Sequence, residues 1–239
     1  MAKIVRLTSK LAAIRHGHLG GEVRKRIEEL VLNGVIPAGA RINELRLAAQ
    51  LKVSRGPVRE ALRALEHTGL LAAVPNRGVF VRNVELADAL DLYEIRAGLA
   101  GVAGRLLARR ITKPQITKLR ATFERMERAC TARDVNAYYA ANLDFHTQII
   151  EFAGNPRLTA ISEAMRNELQ LYLRDAVIGP AQLKESQTEH RAILEAIIEG
   201  NARAAGAAFE AHILSGKQRM LEYFGRGGKS AAGRRIAAQ

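Results

Sequence analysis

The chain has 239 residues, 37 of them Lys or Arg and 24 Asp or Glu, for a formal net charge of +13 at pH 7. An excess of this size favours polyanionic partners such as nucleic acid and says little about fold. Hydrophobic residues at 48% with 26% charged exclude disordered and fibrous classes, and the single cysteine, Cys130, excludes a disulfide framework or a Cys-based zinc finger. No run approaches the ~20 apolar residues of a membrane helix, and Met1 to Arg6 opens no signal peptide, so a cytoplasmic protein without a membrane partner is expected.

The charge is uneven. Residues 1–82 hold 15 basic and 6 acidic side chains, a balance of +9, while residues 83–224 hold 18 of each sign. The remaining +4 comes from Arg226, Lys229, Arg234 and Arg235, set among Gly, Ala and Ser in a disordered basic tail over 225–239. This partition predicts a flexible arm over 1–19, a polyanion-binding domain over 20–82, and a second domain over 85–224 with a different task.

In chain order, Val23, Ile27, Leu30 and Val31 recur at helical spacing until Asn33-Gly34, which predicts a first helix from Gly21 to Leu32. Ile36-Pro37-Ala38-Gly39-Ala40 is a connector, and Leu45, Leu47, Ala48 and Leu51 predict a short second helix ending near Lys52. Ser54 reads as an N-cap, with Pro57 in a first turn where its missing N–H costs nothing. The third helix carries Val58, Ala61, Leu62 and Leu65 on one face and Arg55, Arg59 and Arg63 on the other, and ends near Thr68-Gly69. Two short helices about three residues apart, the second basic at its start, form a helix-turn-helix whose second helix enters the major groove. Leu70 to Val74 and Val79 to Val81 flank the turn formers Pro75-Asn76-Arg77-Gly78, a hairpin that makes a winged helix with Arg77 at its tip. An arginine row is ordinarily a solvated face; the local +9 and the capped turn favour DNA contact here.

Ser54-Arg55-Gly56-Pro57-Val58-Arg59-Glu60-Ala61-Leu62, followed by Leu65-Glu66, Gly69-Leu70-Leu71 and Val74 through Val81, resembles the winged-helix domain of GntR-type bacterial transcription regulators. The resemblance spans roughly residues 20–82 and implies DNA contacts from Ser54, Arg55, Gly56, Arg59, Asn76, Arg77 and Gly78. Position 56, often Thr in relatives, is Gly, which removes one hydroxyl from that surface.

Beyond Arg82 long helical patterns take over, cut by the caps Thr112, Asp134 and Asn155, by Gly179-Pro180 and by Gly200-Asn201. They predict helices over about 85–110, 113–132, 135–153, 156–176, 180–199 and 202–224, a six-helix bundle with a core from faces such as Leu90, Ile95, Leu99, Val102 and Leu106. The expected fold is thus mainly α: a winged helix-turn-helix followed by an all-α bundle.

Three of the six histidines fall in the bundle. Asn142 and His146 stand at i and i+4 on one helix face. His190 and His212 each lie 11 residues from the Asn201 corner, which at 1.5 Å per residue puts both roughly 16 Å from the turn and level in an antiparallel hairpin. Three nitrogens and one amide oxygen converging in a bundle suit Zn²⁺, Ni²⁺ or Mn²⁺. The plain alternative is three unrelated histidines, one packed and two solvated.

Phe145-His146, Ala153 through Leu158, Glu189-His190, Ile193 through Gly200, and Ala211-His212-Ile213 resemble the FCD domain of the FadR-like branch of the GntR family, over about 85–224. Metal-binding members use an Asp four residues before the first His, and that position here is Asn142. Asp144 lies two positions on, roughly 200° round the helix, and is a poor substitute. An uncharged amide ligand lowers metal affinity and leaves the ion more electropositive, so a carboxylate effector would complete its shell. Glu94 and Arg96 in Tyr93-Glu94-Ile95-Arg96 also resemble the family pattern, with Arg96 placed to hold an effector carboxylate bidentately, the plain alternative being a solvated or helix-pairing Arg, while the Glu often found four residues later is Ala100.

These readings favour a homodimeric transcription regulator, usually a repressor, that binds a pseudo-palindromic double-stranded operator and responds to a small carboxylate through a divalent metal ion. It is not read as an enzyme. The alternatives are a metal-dependent enzyme fused to a DNA-binding module, for which no positioned base such as HExxH is present, and an architectural DNA binder without a ligand.

Overall fold

A computed structural model describes residues 19–173 and 180–225, with side chains at 180 and 181 left out. The expected arm over 1–19 and tail over 225–239 lie outside the described residues, apart from Leu19 and Gly225, which are helical. Among the described residues there are nine helices and one two-stranded hairpin. They are α1 (Leu19–Leu32), α2 (Glu44–Leu51), α3 (Arg55–His67), β1 (Leu71–Val74), β2 (Gly78–Val81), α4 (Leu86–Ala108), α5 (Lys113–Ala132), α6 (Val135–Phe152), α7 (Pro156–Leu173), α8 (Pro180–Ile198) and α9 (Ala202–Gly225). The fold is mainly α, a winged helix-turn-helix followed by a helical domain. The chain divides into two compact units: residues 19–86 with 164–173 in one, and residues 87–163 with 180–225 in the other.

In the first unit α1 and α2 pack on α3. Val23, Ile27 and Val31 of α1 face Val58, Leu62 and Leu65 of α3, all within 2% of complete burial, and each such side chain contributes about 1.5–3 kcal/mol. Asn43 caps α2 by accepting from Arg46 N at 2.9 Å, and Lys52 closes it in the left-handed region at φ 55°. Leu45, expected on the apolar face of α2, is instead 67% exposed, because the buried stripe runs through Leu47, Ala48 and Leu51. Leu30 is only half-buried. β1 and β2 pair antiparallel from Leu71↔Val81 to Val74↔Gly78. The segment expected as a plain connector also joins this sheet: Ile42 N donates to Val79 O at 2.8 Å and Val81 N to Ala40 O at 2.9 Å.

In the second unit α5 packs on α6 and α8, and α8 on α9. Asp134, Asn155 and Asn201 cap α6, α7 and α9 by accepting from the backbone N–H three residues on, at 2.9, 3.2 and 3.0 Å. The core face expected for α4 is corrected here. Ile95 and Val102 are 51% and 36% exposed and Leu90, Leu99 and Leu106 are half-buried, while Ala89, Tyr93, Ala97, Ala100, Ala103 and Leu107 are buried. Close helix approach selects the small residues: a Cβ added at Gly104 would lie 2.5 Å from the Ala205 carbonyl oxygen, and one at Gly206 2.9 Å from that of Gly101.

Candidate metal centre and nucleic-acid interface

Helices α6, α8 and α9 bring His146, His190 and His212 together, with one ring nitrogen from each inside a 4.8 Å span. The Nε2 atoms of His146 and His190 stand 2.9 Å apart, and the ring centroids of His190 and His212 4.2 Å apart. Tetrahedral ligands at about 2.0–2.1 Å from an ion are roughly 3.3 Å from one another, so this cluster is of the right size for one divalent metal. His190 is fully buried and His212 is 5% exposed. Burial, reinforced by the neighbouring histidines, pushes His190 well below its ordinary pKa; burial also lowers His212 against the pull of Glu189. Both rings are therefore held in the neutral form that ligates metal.

The surroundings set which nitrogen faces inward. His212 Nδ1 lies 2.6 Å from Glu189 Oε2, and Arg219 clamps the same carboxylate with Nη1 and Nη2 at 3.0 and 2.9 Å. Burial acts to raise Glu189, but these partners outweigh it and hold the carboxyl at about 2. A permanently ionised acceptor fixes the proton of His212 on Nδ1 and leaves Nε2 for the site. His190 Nδ1 lies 3.3 Å from Tyr138 Oη and 3.5 Å from Ser186 Oγ, which occupies its outer nitrogen in the same way. Burial raises the Tyr138 hydroxyl to about 12, so it stays protonated.

Asn142 Oδ1, one turn before His146, is buried and accepts no hydrogen bond from the described residues. A buried acceptor without a partner costs about 1–3 kcal/mol, and this one has the chemistry of a fourth ligand. Asp144 is exposed and receives Arg125 at 2.8 Å, away from the histidines. Glu94 is likewise engaged elsewhere, by Lys217. Arg96 is half-buried with its Cζ 5.8 Å from the Tyr93 ring centroid, close enough for its charge to bear on His212. Sequence reasoning missed Glu189 and Arg219. The spacing of Arg219 seven residues beyond His212, two turns along one face, was the available signal.

On the other unit, Ser54, Arg55, Gly56, Arg59, Asn76, Arg77 and Gly78 are all exposed. Ser54 occupies the N-cap position of α3, but its hydroxyl makes no capping bond. A Cβ at Gly56 would meet nothing within 4 Å, so glycine there is not required by packing. At the hairpin tip Asn76 takes φ 61° and Gly78 φ 103°, where a side chain would be strained and would press on Arg41 Nε at 3.2 Å. Gly78 thus shapes the tip, and Arg77, 5.9 Å above the Phe80 ring, is the group it presents. Arg46, on the first turn of α2, adds an exposed cation that the sequence reading left out.

Comparison with known proteins matches this architecture. The family model for bacterial regulatory proteins of the gntR family covers residues 19–81, and that for the FCD domain covers residues 91–215. The chain is 32% identical over 195 residues, 82% of its length and 85% of the relative's, to a probable D-xylose utilization operon transcriptional repressor of Paenarthrobacter nicotinovorans. It is 28% identical over 222 residues, 84% of its length and 86% of the relative's, to the Uxu operon transcriptional regulator of Escherichia coli. Among solved structures, E. coli McbR/YncC shares the fold with a TM-score of 0.72 at 22% identity, covering 86% of this chain and 98% of that one. No helix among the described residues is long and apolar enough to cross a membrane. The matched families and relatives are transcriptional regulators and not enzymes. With a helix-turn-helix and wing in one unit and a histidine-lined bundle in the other, the chain belongs to the GntR family of DNA-binding transcription regulators and carries a C-terminal FCD domain.

Proposed function

We propose that this regulator is a cytoplasmic repressor whose affinity for a pseudo-palindromic double-stranded operator is set by a small carboxylate effector, bound at a divalent ion (Zn, Ni or Mn) in the FCD bundle. Residues 20–82 supply the DNA contacts, through Ser54, Arg55, Gly56 and Arg59 on α3 and Asn76, Arg77 and Gly78 at the wing. Residues 85–224 hold the effector. The observation that carries the reading is the buried histidine layer, with His146 and His190 aiming Nε2 at each other across 2.9 Å. His146, His190, His212 and Asn142 would hold the ion, which when bound supplies a Lewis-acidic point for a carboxylate. Arg96 orients the outer end of that carboxylate, and Glu189 with Arg219 keeps the His212 ring from turning. The four protein ligands carry no negative charge, so an anion satisfies the electrostatics of a loaded site. A homodimer is favoured by the outward apolar residues of α4, Ile95 and Val102, and by the pairing of half-sites that a pseudo-palindrome demands. The similarity to a named repressor supports the sign of regulation.

The test uses metal-stripped full-length protein and a duplex selected by the wild-type chain from a random-sequence pool. Zn²⁺, Ni²⁺ or Mn²⁺ is restored and a panel of sugar acids, hydroxy acids and aromatic acids is titrated. At least one acid lowers duplex affinity tenfold or more in the metal-loaded wild type and not in His190→Ala. Affinity indifferent to every acid and every metal would leave an architectural DNA binder instead.

A further inference from the structure

Between residues 30 and 59 the chain carries five basic side chains and one acid, Glu44, and the acid sits against Arg55 and Arg59 of α3. Arg59 Nε donates to Glu44 Oε2 at 2.8 Å, and Arg55 Nη2 lies 3.7 Å from the same oxygen. Glu44 opens α2 directly after its N-cap Asn43, and the side chain is 30% exposed against 56% for each arginine. The carboxylate is thus the inner, fixed member of the cluster. The helix N-terminus favours its charge, and the Arg59 hydrogen bond, against the cost of partial burial, holds it ionised.

We propose that Glu44 is a specificity-determining residue of the DNA surface, which presets the Arg59 guanidinium for a base edge and makes sequence-independent phosphate binding unfavourable. An exposed ion pair adds little stability, so stability does not account for an acid on a polyanion-binding face. Its geometry does something more definite. With Nε engaged by Glu44, Arg59 offers its two terminal nitrogens as a fork, the arrangement that reads O6 and N7 of guanine in the major groove. A specific complex keeps the Glu44 contact and uses the fork. In a non-specific complex Arg59 and Arg55 must leave Glu44 to follow the phosphates, or the phosphates must approach a carboxylate; both weaken binding without regard to sequence.

This inference rests on α3 being the recognition helix, and the experiment separates the two claims. Wild type, Glu44→Gln, Glu44→Ala and Arg59→Ala are titrated with the pool-selected duplex and with a scrambled duplex of equal length, over a range of salt, with helicity checked by circular dichroism. Both Glu44 variants are expected to tighten binding to the scrambled duplex roughly 5- to 20-fold and to steepen its salt dependence by about one released counterion per freed arginine. Selected-duplex affinity is expected to change less than threefold, so the specificity ratio collapses. Equal tightening on both duplexes overturns the proposal while leaving the recognition helix intact, provided Arg59→Ala still weakens the selected duplex. An Arg59→Ala variant that binds the selected duplex like wild type overturns the recognition-helix reading and the proposal with it.

Discussion

Replacing Glu189 by Gln keeps the shape of the side chain and removes its charge, leaving Arg219 and His212 with a neutral partner. Glu189 accepts three charge-assisted contacts at 2.6, 2.9 and 3.0 Å. Bonds to charged groups are worth about 1.5–3 kcal/mol apiece, but three that share one carboxylate do not add. Arg219 is only 11% exposed and would keep only the longer contact at 3.9 Å with the exposed Glu185, whereas Glu189 is 22% exposed and partly screened. The expected loss is about 2–3 kcal/mol of stability, a drop of roughly 5–10 °C in Tm for a chain of this size. The functional effect is separate. His212 exchanges an ionised acceptor that fixes its proton on Nδ1 for a neutral amide that can also turn its NH2 toward that nitrogen, and changes of this kind lower metal affinity about 10- to 100-fold. Competition for Zn²⁺ against a chromophoric chelator measures this in stripped protein. Arg219→Met distinguishes the two effects: it costs stability but leaves Glu189 on His212, so Zn²⁺ affinity falls less than tenfold. A Glu189→Gln protein that melts lower yet competes for Zn²⁺ like wild type would show that His212 is neither oriented by Glu189 nor a ligand.

The remaining predictions concern DNA, packing and coupling. Arg55→Ala is expected to weaken the selected duplex by about 1–3 kcal/mol if Arg55 reads a base; unchanged affinity in a quantitative mobility shift removes it from the interface. Gly104→Ala forces a Cβ to within 2.5 Å of the Ala205 carbonyl oxygen and should cost about 1–3 kcal/mol in thermal melts. Gly98→Ala, on the same helix with nothing within 4 Å, should be neutral or stabilising by up to about 1 kcal/mol, and equal Tm values for the two would refute the close α4–α9 approach. An acid that weakens operator binding by a given factor must itself be bound more weakly by that factor in the presence of saturating operator duplex. Calorimetry with and without the duplex measures both arms, and unequal factors would mean that the acid acts on the DNA or on aggregation.

What was legible in the sequence was whatever depends on short-range geometry. Asp134, Asn155 and Asn201 each announce a helix by a side chain that accepts from the backbone N–H three residues on, Thr112 N donates to the Gln115 side chain, and α5 runs from Lys113 to Ala132 between its expected punctuation. The level of His190 and His212 was legible too, since one tight corner at Gly200-Asn201 fixes both heights. The buried face of α4 was not. Apolar size points to Ile95 and Val102, whereas the approach of α9 rewards the absence of a side chain at Gly101 and Gly104. Nor were Glu44 and Glu189 legible as site residues, because their partners lie 15 and 23 to 30 residues away and only tertiary packing brings them close.

The two halves of the molecule place their charge in different physical settings. The DNA half carries +9 over residues 1–82, and among its described residues Arg41, Arg46, Arg55, Arg59, Arg63, Arg77 and Arg82 are exposed, where salt at physiological strength screens charge beyond about 8 Å. Affinity built on such charges is a matter of counterions. The bundle has no net charge over residues 83–224, yet at the histidine layer Arg219 and Glu189 pair beside the buried His212, on which the charge of Arg96 also bears. A few desolvated groups there outweigh the sum over the whole domain, because Coulomb energies grow as the effective dielectric falls. Net charge thus identifies the half that meets DNA, while in the other half the position of single charges sets the electrostatics of the histidine cluster.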